Sequence, residues 1–385
     1  MEGLLKFQMS GRLIMGVGAL AELPAALQRL DISKPLLVTD LSLVKAGLCD
    51  RVRKIVENAG LTCAVFDRVT PDPPLEIVED CQRAAVDASC DAFVGVGGGS
   101  SMDIAKVTAV LMTNGGTAAD YVGIDQIPKR GAPTLMLPTT AGTGSEVTPI
   151  AVLSDTQTHL KKGVVSDHLY PDVALIDPEL AVSMPPQVTA ATGMDTLTHA
   201  IEAYTNKHAH PFIDAFALEA IRLVGRNLRR AVGHGDDLAA RTGMARASLL
   251  GGMCLGSVNT AAVHALAYPL GGTYNVPHGV ANSLLLPYVM RFNLPSDLNK
   301  FAIIAQALGE STSGLKLEDA AALAVDAVER LSDDTGIVSR LRDLEIPESS
   351  IEAMAEAAMQ VTRLLKNNPR QVTLKDAVAI YREAY

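Results

Sequence analysis

The sequence predicts two domains: an α/β N-terminal domain built on a doubly wound parallel sheet, and an all-α C-terminal domain. Two observations predict this fold class. Short apolar runs alternate with amphipathic stretches of helical period through the first half of the chain. This alternation stops near Met184-Pro185-Pro186, after which almost only helical periods occur. We therefore expect the two domains to cover residues 1–184 and 185–385.

The elements follow in order from these periods. In the first half, apolar runs predict buried strands at 34–40, 62–66, 92–96 and 133–137. The amphipathic stretches between them predict helices at 43–59, 75–88 and 101–112. Because two parallel strands need a crossover that is usually a helix, this alternation indicates a parallel sheet. In the second half the predicted helices cover 187–204, 211–231, 238–256, 258–270, 298–308, 317–334, 350–363 and 374–384.

Length and composition fit two globular domains. The chain has 385 residues, of which 48% are hydrophobic and 20% charged. A net charge of −10 argues against a nucleic-acid-binding surface, which needs a basic patch. The five cysteines show no C-x-x-C spacing, which argues against a disulfide framework and favours the reducing cytoplasm. With no secretory signal and no apolar stretch of membrane-spanning length in the sequence, we expect neither export nor a membrane span.

Four candidate metal ligands lie in the second half. Asp195 and His199 are four residues apart, about one helical turn, so both side chains project from one face. His264 lies in a second apolar helical stretch, and His278 follows it at a predicted turn. Three imidazoles and one carboxylate suit Fe(II) or Zn(II) better than Mg or Ca. The alternative for each histidine is a core residue held by hydrogen bonds, but unpaired polar groups in such apolar surroundings would be costly, which favours the metal site.

Two glycine-rich segments compete as the phosphate-binding loop. Residues 16–21 resemble the G-x-G-x-x-A fingerprint of Rossmann-like domains. The second segment, Gly97, Gly98, Gly99 and Ser100, joins a buried strand to a helix start. There glycine lets the backbone approach a pyrophosphate, and the helix N-terminus offers N–H groups. The alternatives are a simple turn at 16–21 and a serine-capped strand-to-helix turn at 97–101.

Two further features suit a dinucleotide. Residues 138–146 follow the fourth predicted strand, and their hydroxyls suit contacts with phosphate or ribose, although a plain polar loop has the same composition. Asp40 ends a predicted strand, where its carboxylate could accept hydrogen bonds from a ribose diol and would repel a 2′-phosphate. This favours NAD over NADP. The alternative for Asp40 is an N-cap of the next helix.

Together the motifs resemble those of the iron-containing (group III) alcohol dehydrogenase family, over essentially the whole chain. The resemblance rests on G-G-G-S-S-M-D-I-A-K at 97–106, P-T-T-A-G-T-G-S-E-V-T at 138–148, G-M-D-T-L-T-H-A-I-E-A-Y at 193–204 and H-A-L-A-Y-P-L-G-G-T-Y-N-V-P-H-G at 264–279. It implies a dehydroquinate synthase-like two-domain architecture, a Rossmann-like NAD-binding domain, a cleft between the domains, and a homodimer or larger assembly.

The resemblance also implies roles for individual residues. One Fe(II) or Zn(II) ion would be bound by Asp195, His199, His264 and His278. The pyrophosphate would rest on the 97–100 loop, which leaves residues 16–21 as a nearby turn. The cofactor groove would also be lined by Asp103, Thr139, Thr140, Thr143, Lys161 and Leu180.

One position departs from the family pattern. Many members carry a second histidine four residues after the third ligand, a candidate relay for the alcohol proton, and Tyr268 stands at that position here. Its hydroxyl could take over the relay. The alternatives are proton release through the ribose hydroxyl and water, or a packed tyrosine with no chemical role.

The predicted function is the NAD(H)-dependent, metal-assisted interconversion of small aliphatic alcohols with aldehydes or ketones by hydride transfer. The predicted pocket walls, Ile150, Val152 and Leu255, are apolar and favour such substrates over a sugar phosphate. Two alternatives stay open. One is a sugar-phosphate cyclase or lyase of the dehydroquinate synthase type, which returns the hydride to its substrate; the other is a non-catalytic NAD- or metal-binding protein.

Overall fold

A six-stranded parallel sheet organises the first part of the chain, and helices form the rest. The computed structural model describes residues 4–156 and 160–385. Within these residues, Gln8–Met184 form one compact unit. Pro185–Tyr385, together with the N-terminal residues up to Phe7, form another.

The first unit alternates strands and helices. Its strands and α-helices are β1 (Arg12–Met15), α1 (Leu23–Arg29), β2 (Pro35–Val38), α2 (Leu41–Lys45), α3 (Leu48–Asn58), β3 (Ala64–Phe66), α4 (Ile77–Asp87), β4 (Ala92–Gly97), α5 (Gly99–Asn114), β5 (Gly123–Ile124), β6 (Thr134–Pro138), β7 (Ile150–Asp155), β8 (Leu160–Val165) and β9 (Val173–Ile176). The large sheet has the order β1-β9-β6-β4-β2-β3, and all its pairings are parallel.

Both faces of this sheet are covered, as the sequence predicts. Leu36 and Val38 on β2 face an apolar core that they share with α4 and α5. Leu37, between them, faces a second core formed with α1 and α3. This division arises because successive side chains of a strand point to opposite faces. The predicted doubly wound parallel sheet is confirmed.

The chain reverses its direction across the sheet between β2 and β4. From β2 it proceeds to β3 at the edge, and then returns to β4, β6 and β9 on the other side. The helices that follow β2 and β4, α3 and α5, therefore pack on opposite faces of the sheet. In open α/β sheets the ligand crevice lies at the carboxyl ends of the two strands at such a reversal. Asp40 follows β2 there, and the 97–100 glycine segment begins at the last residue of β4.

Three features of this unit differ from the sequence-based prediction. The edge strand β1 and its neighbour β9 were not predicted, and neither was the small sheet β5-β8-β7, whose strand β8 carries Lys161 and Lys162 rather than an apolar run. The helix predicted over 43–59 is two helices. Gly47 separates α2 from α3 with a φ of 76°, a left-handed conformation that only glycine adopts without strain.

The second unit contains helices and no strand among its described residues, as predicted. Its helices are α6 (Pro186–Thr205), α7 (Pro211–Gly233), α8 (Leu238–Leu255), α9 (Ala262–Tyr274), α10 (His278–Asn293), α11 (Leu298–Leu308), α12 (Leu317–Asp334), α13 (Ile351–Met359), α14 (Thr362–Leu365) and α15 (Leu374–Glu383). None of the helices in the described part of the chain is long and apolar enough to cross a bilayer.

One long helix of this unit, α10, was missed by the sequence analysis. Pro277, Gly279 and Pro287 indicate turns, because proline and glycine interrupt helices. In the structure Pro277 precedes the helix and Pro287 lies inside it. The helix packs against α6, α9 and α12, so tertiary packing overrides the local signal. The helix predicted over 350–363 is likewise two helices, α13 and α14.

Candidate functional site

Helix α6 carries two candidate metal ligands on one buried face. Asp195 and His199 lie one helical turn apart, and their exposed fractions are 2% and 4%. Two prolines, Pro185 and Pro186, stand at the start of this helix, where proline is tolerated because the first N–H groups have no intrahelical partner. The prolines do not interrupt the helix, and both candidate ligands lie well inside it.

The other two candidate ligands come from α9 and α10 and converge on Asp195. His264 lies in the first turn of α9. His278 is the first residue of α10, which corrects the predicted turn. From Oδ1 of Asp195, the Nε2 atoms of His199, His264 and His278 lie at 3.8, 3.7 and 3.9 Å. The ligand atoms of Asp195, His199 and His264 all lie within 4.8 Å of one another, close enough to share one ion.

A fifth side chain, Asn282, lies among these four and was not predicted from the sequence. It follows His278 by one turn of α10 and is fully buried. Its Nδ2 donates to Oδ1 of Asp195 at 2.7 Å and lies 3.0 Å from Nε2 of His264 and 3.1 Å from Nε2 of His278. The i, i+4 spacing from His278 would have revealed Asn282 only if a helix had been predicted there.

The residues present fit a divalent cation. An NH2 group has two hydrogens, so Nδ2 of Asn282 cannot satisfy three acceptor atoms at once. The Oδ1 atom of Asn282 is buried without a hydrogen-bond partner among the described residues. A cation would satisfy this surplus of acceptors, since three imidazoles and one carboxylate are ligands that Fe(II) and Zn(II) prefer.

Electrostatics at Asp195 favour its charged form. Burial raises the pKa of this carboxyl group, but the three neighbouring imidazoles and the hydrogen bond from Asn282 outweigh burial and hold the pKa of Asp195 below its usual range. The ionised carboxylate is the form that binds a metal.

The sequence analysis also missed Glu202, which contacts a candidate ligand directly. Its carboxylate lies 2.6 Å from Nδ1 of His264 and is buried. Glu202 follows Asp195 by seven residues and His199 by three, so the helical period places all three on one face. That spacing is the signal from which it could have been found.

In the first unit, three segments that the sequence singled out meet at the reversal point of the sheet. A Cβ added to Gly97 would lie 3.3 Å from Cδ1 of Leu43, which lies in α2, the helix that follows Asp40. A Cβ on Gly99 would lie 2.7 Å from Cγ2 of Thr143, and one on Gly98 would lie 3.3 Å from Oγ1 of Thr140. The 97–100 loop and the 138–146 segment are therefore in contact, and the absence of side chains on the glycines permits it.

Gly98 leaves the start of α5 open to a ligand. As the N-cap residue of the helix, it has no side chain with which to cap the first N–H groups. The competing segment at 16–21 differs. There the backbone N–H groups of Gly18 and Leu20 donate to the carboxylate of Asp177 at 3.2 and 3.0 Å, so they are not available to a phosphate. This contrast favours the 97–100 loop as the phosphate site.

Three residues predicted to line the cofactor groove have internal partners. Asp103 accepts hydrogen bonds from Oγ of Ser145 and from the backbone N–H of Val152. Lys161 forms an ion pair with Asp72. Leu180 is 1% exposed and packs in the core of the α1–α3 face. Their contact with a cofactor stays a prediction; the structure shows them supporting the fold.

The other predicted binding residues have these positions. Asp40 caps α2, since its Oδ1 accepts from the N–H groups of Ser42 and Leu43. This is the alternative role expected for it, and its Oδ2 accepts no hydrogen bond among the described residues.

The three predicted pocket residues differ in burial. Ile150 and Val152 are half-buried on one face of β7, whereas Leu255 is buried at the end of α8.

Tyr268 lies near the candidate metal ligands. Its ring centroid is 6.5 Å from that of His278. Burial raises the pKa of Tyr268, and the charge of Arg363 partly offsets this effect. The hydroxyl is therefore protonated near neutral pH. Its role as a proton relay stays a prediction.

Comparison with known proteins identifies the family. Residues 10–178 match the model of the iron-containing alcohol dehydrogenases, and residues 189–385 match the model of the C-terminal part of the Fe-containing alcohol dehydrogenase family. The chain belongs to the iron-containing alcohol dehydrogenase family. It is therefore an oxidoreductase, and both matches favour the dehydrogenase over the cyclase and the non-catalytic alternatives.

Relatives and solved structures agree with this assignment. The chain is 44% identical to long-chain-alcohol dehydrogenase 1 of Geobacillus thermodenitrificans over 96% of this chain and 94% of the relative. It is 39% identical to the NAD-dependent methanol dehydrogenase of Bacillus methanolicus over 96% of this chain and 97% of the relative. The crystal structure of a 1,3-propanediol oxidoreductase superposes with a TM-score of 0.97, at 42% identity and full coverage of both chains.

Proposed function

We propose that this member of the family is an NAD-dependent dehydrogenase of small aliphatic alcohols that uses one divalent metal ion. The observation that carries the proposal is the convergence of three imidazole Nε2 atoms on one carboxylate oxygen, at 3.7 to 3.9 Å. We further propose Asp195, His199, His264 and His278 as the metal ligands, with Fe(II) as the native ion and Zn(II) as an effective substitute, because this donor set suits both.

When bound, the metal supplies a Lewis acid for the substrate oxygen, and the nicotinamide accepts or donates the hydride. The chain's own residues provide position and surroundings. Asp195 contributes a charge that its neighbours keep ionised. The buried helices α6 and α9 fix three of the four ligands, which limits the motion of the site.

Three features of the first unit support NAD as the cofactor. The start of α5 carries N–H groups that suit a pyrophosphate, and the 138–146 segment, with Thr139, Thr140 and Thr143, lies against it. Asp40 retains one carboxylate oxygen for a ribose diol, which disfavours the 2′-phosphate of NADP. The relative from B. methanolicus is itself named as NAD-dependent.

The substrate class is proposed from the half-buried apolar side chains of Ile150 and Val152, together with Leu255. The relatives are named for alcohols of very different length, from methanol to long-chain alcohols. Chain length is therefore the property that a substrate panel must vary.

The test is turnover by the purified protein after loading with Fe(II) or Zn(II). We expect NADH formation with primary alcohols, at a higher kcat/KM with NAD than with NADP. The His264→Ala variant should lose on the order of 100-fold or more in kcat, because its metal site lacks one ligand. Arg222→Ala, a substitution at a half-buried residue of α7 in the same unit, is the matched control and should turn over like the wild type. A metal-loaded wild type that oxidises no alcohol of any length would refute the proposal.

We also propose that the protein works in the cytoplasm as a homodimer or larger assembly. The reduced state of its cysteines, all five of which are free, is consistent with a reducing compartment. Light scattering of the purified protein measures the assembly directly, and a monomer at micromolar concentration would contradict this part.

A further inference from the structure

Glu202 forms two hydrogen bonds at the base of α9. Its Oε1 accepts from the backbone N–H of Val263 at 2.6 Å, and its Oε2 lies 2.6 Å from Nδ1 of His264. The side chain is 4% exposed. A buried carboxylate is costly unless hydrogen-bonded, and these two contacts compensate part of that cost.

The contact with Glu202 determines which nitrogen of His264 carries the proton. An ionised carboxylate only accepts hydrogen bonds, so Nδ1 of His264 must donate. In the neutral ring the lone pair is then on Nε2. That atom faces Oδ1 of Asp195 at 3.7 Å and Nδ2 of Asn282 at 3.0 Å.

We propose that Glu202 is a positioning residue that holds His264 in the tautomer and orientation required of a metal ligand. The inference rests on the proposed metal site. Ligating histidines generally donate their second N–H to such a partner, which fixes the ring and increases its basicity. Because Glu202 also binds the N–H of Val263, it fixes the ring of His264 and the start of its helix together.

The Glu202→Gln variant tests this role because glutamine has the same shape but only one acceptor oxygen. If that oxygen accepts from Val263, the NH2 group faces Nδ1 of His264, which must then become the acceptor and move its proton to Nε2. We expect Zn2+ affinity, measured by competition with a chelator, to fall about 10- to 100-fold. In the metal-free variant, nitrogen NMR of labelled histidine should show His264 protonated on Nε2 rather than on Nδ1.

Glu219→Gln is the matched control, since it makes the same chemical change at a half-buried glutamate of the same unit, which pairs with Arg222. It should bind Zn2+ like the wild type. If Glu202→Gln fails to fold, Glu202→Asp receives the same measurements, and because it retains two acceptor oxygens we expect it to keep His264 protonated on Nδ1.

Three results overturn the inference. One is a folded Glu202→Gln variant with Zn2+ affinity within twofold of the wild type, and another is an unchanged proton position on His264. A wild type that binds no Zn2+ overturns the metal site and this role with it. A wild type that binds Zn2+ tightly but oxidises no alcohol refutes the proposed reaction alone and leaves the role of Glu202 standing.

Discussion

At the scale of single residues, three ionisable side chains are buried together in the first unit. Lys106 is 1% exposed, lies 3.3 Å from Asp103, and donates to the backbone oxygens of Ser145 and Ile150. Glu146, 2% exposed, is the third. These contacts join α5, which follows the glycine loop, to the segment after Thr143. The buried charges thus hold the two proposed phosphate-binding segments in register.

Glu146 provides a test of this arrangement through pH. Burial raises its pKa from 4.5 to about 7. Between these values the unfolded chain has released the proton that the folded protein retains, so the stability of the wild type falls as pH rises. The neutral Glu146→Gln variant lacks this dependence. We expect its unfolding free energy, relative to the wild type, to increase by on the order of 2–3 kcal/mol between pH 4 and pH 8.

Urea denaturation of both proteins across this pH range provides the measurement. The Glu79→Gln variant, at a half-buried glutamate of the same unit, serves as the control for general effects of pH on the fold. Parallel stability curves for Glu146→Gln and the wild type would contradict the raised pKa of this carboxyl group.

At the scale of elements, the metal site depends on how closely α10 approaches α6. His278 and Asn282 lie on α10, whereas Asp195 and His199 lie on α6. The contact is made at Gly279, where an added Cβ would lie 2.6 Å from the backbone oxygen of Ala191. Backbone cannot yield as a flexible side chain can, so only glycine permits this approach.

The Gly279→Ala variant should therefore separate the two helices. We expect a loss of about 1–3 kcal/mol in unfolding free energy from overpacking, and weaker Zn2+ binding because His278 moves with its helix. Gly233→Ala at the end of α7 is the control. An added Cβ there would meet no atom within 4 Å, and alanine favours helix. Equal stability and Zn2+ affinity in the two variants would show that the α10–α6 contact does not position His278.

At the scale of the whole molecule, the two proposed binding functions belong to different compact units. The candidate metal ligands, Asn282 and Glu202 all lie within Pro185–Tyr385. The glycine loop and the 138–146 segment lie within Gln8–Met184. Loss of one function by mutation should therefore leave the other measurable in the intact chain.

The Asp195→Asn variant makes this separation testable. Removing the carboxylate should abolish the increase in melting temperature that Zn2+ gives the wild type, because a ligand that binds only the folded state stabilises it. NADH binding, followed by the fluorescence of the cofactor, should persist with a Kd within about threefold of the metal-free wild type. Loss of NADH binding in this variant would indicate that the two sites are not independent.

Much of the fold and of the candidate site was predictable, because short sequence patterns are enough to indicate those parts. The buried strands β2, β4 and β6 are continuous apolar runs, and α12 has a regular helical period, so both were found close to their observed positions. Asp195 and His199 were placed on one helical face by their spacing alone. Helix α10 was not found, because its prolines and glycine locally indicate turns rather than a helix.

The sequence by itself determined the parallel sheet, the helical second half, and the four residues able to bind one ion, since periodicity and ligand chemistry are properties of short segments. Only the tertiary structure decided which additional polar groups join them. Asn282 enters the cluster because α10 packs on α6, and Glu202 reaches His264 because α9 begins beside the buried face of α6. Contacts between segments distant in the chain depend on packing, which no local pattern records.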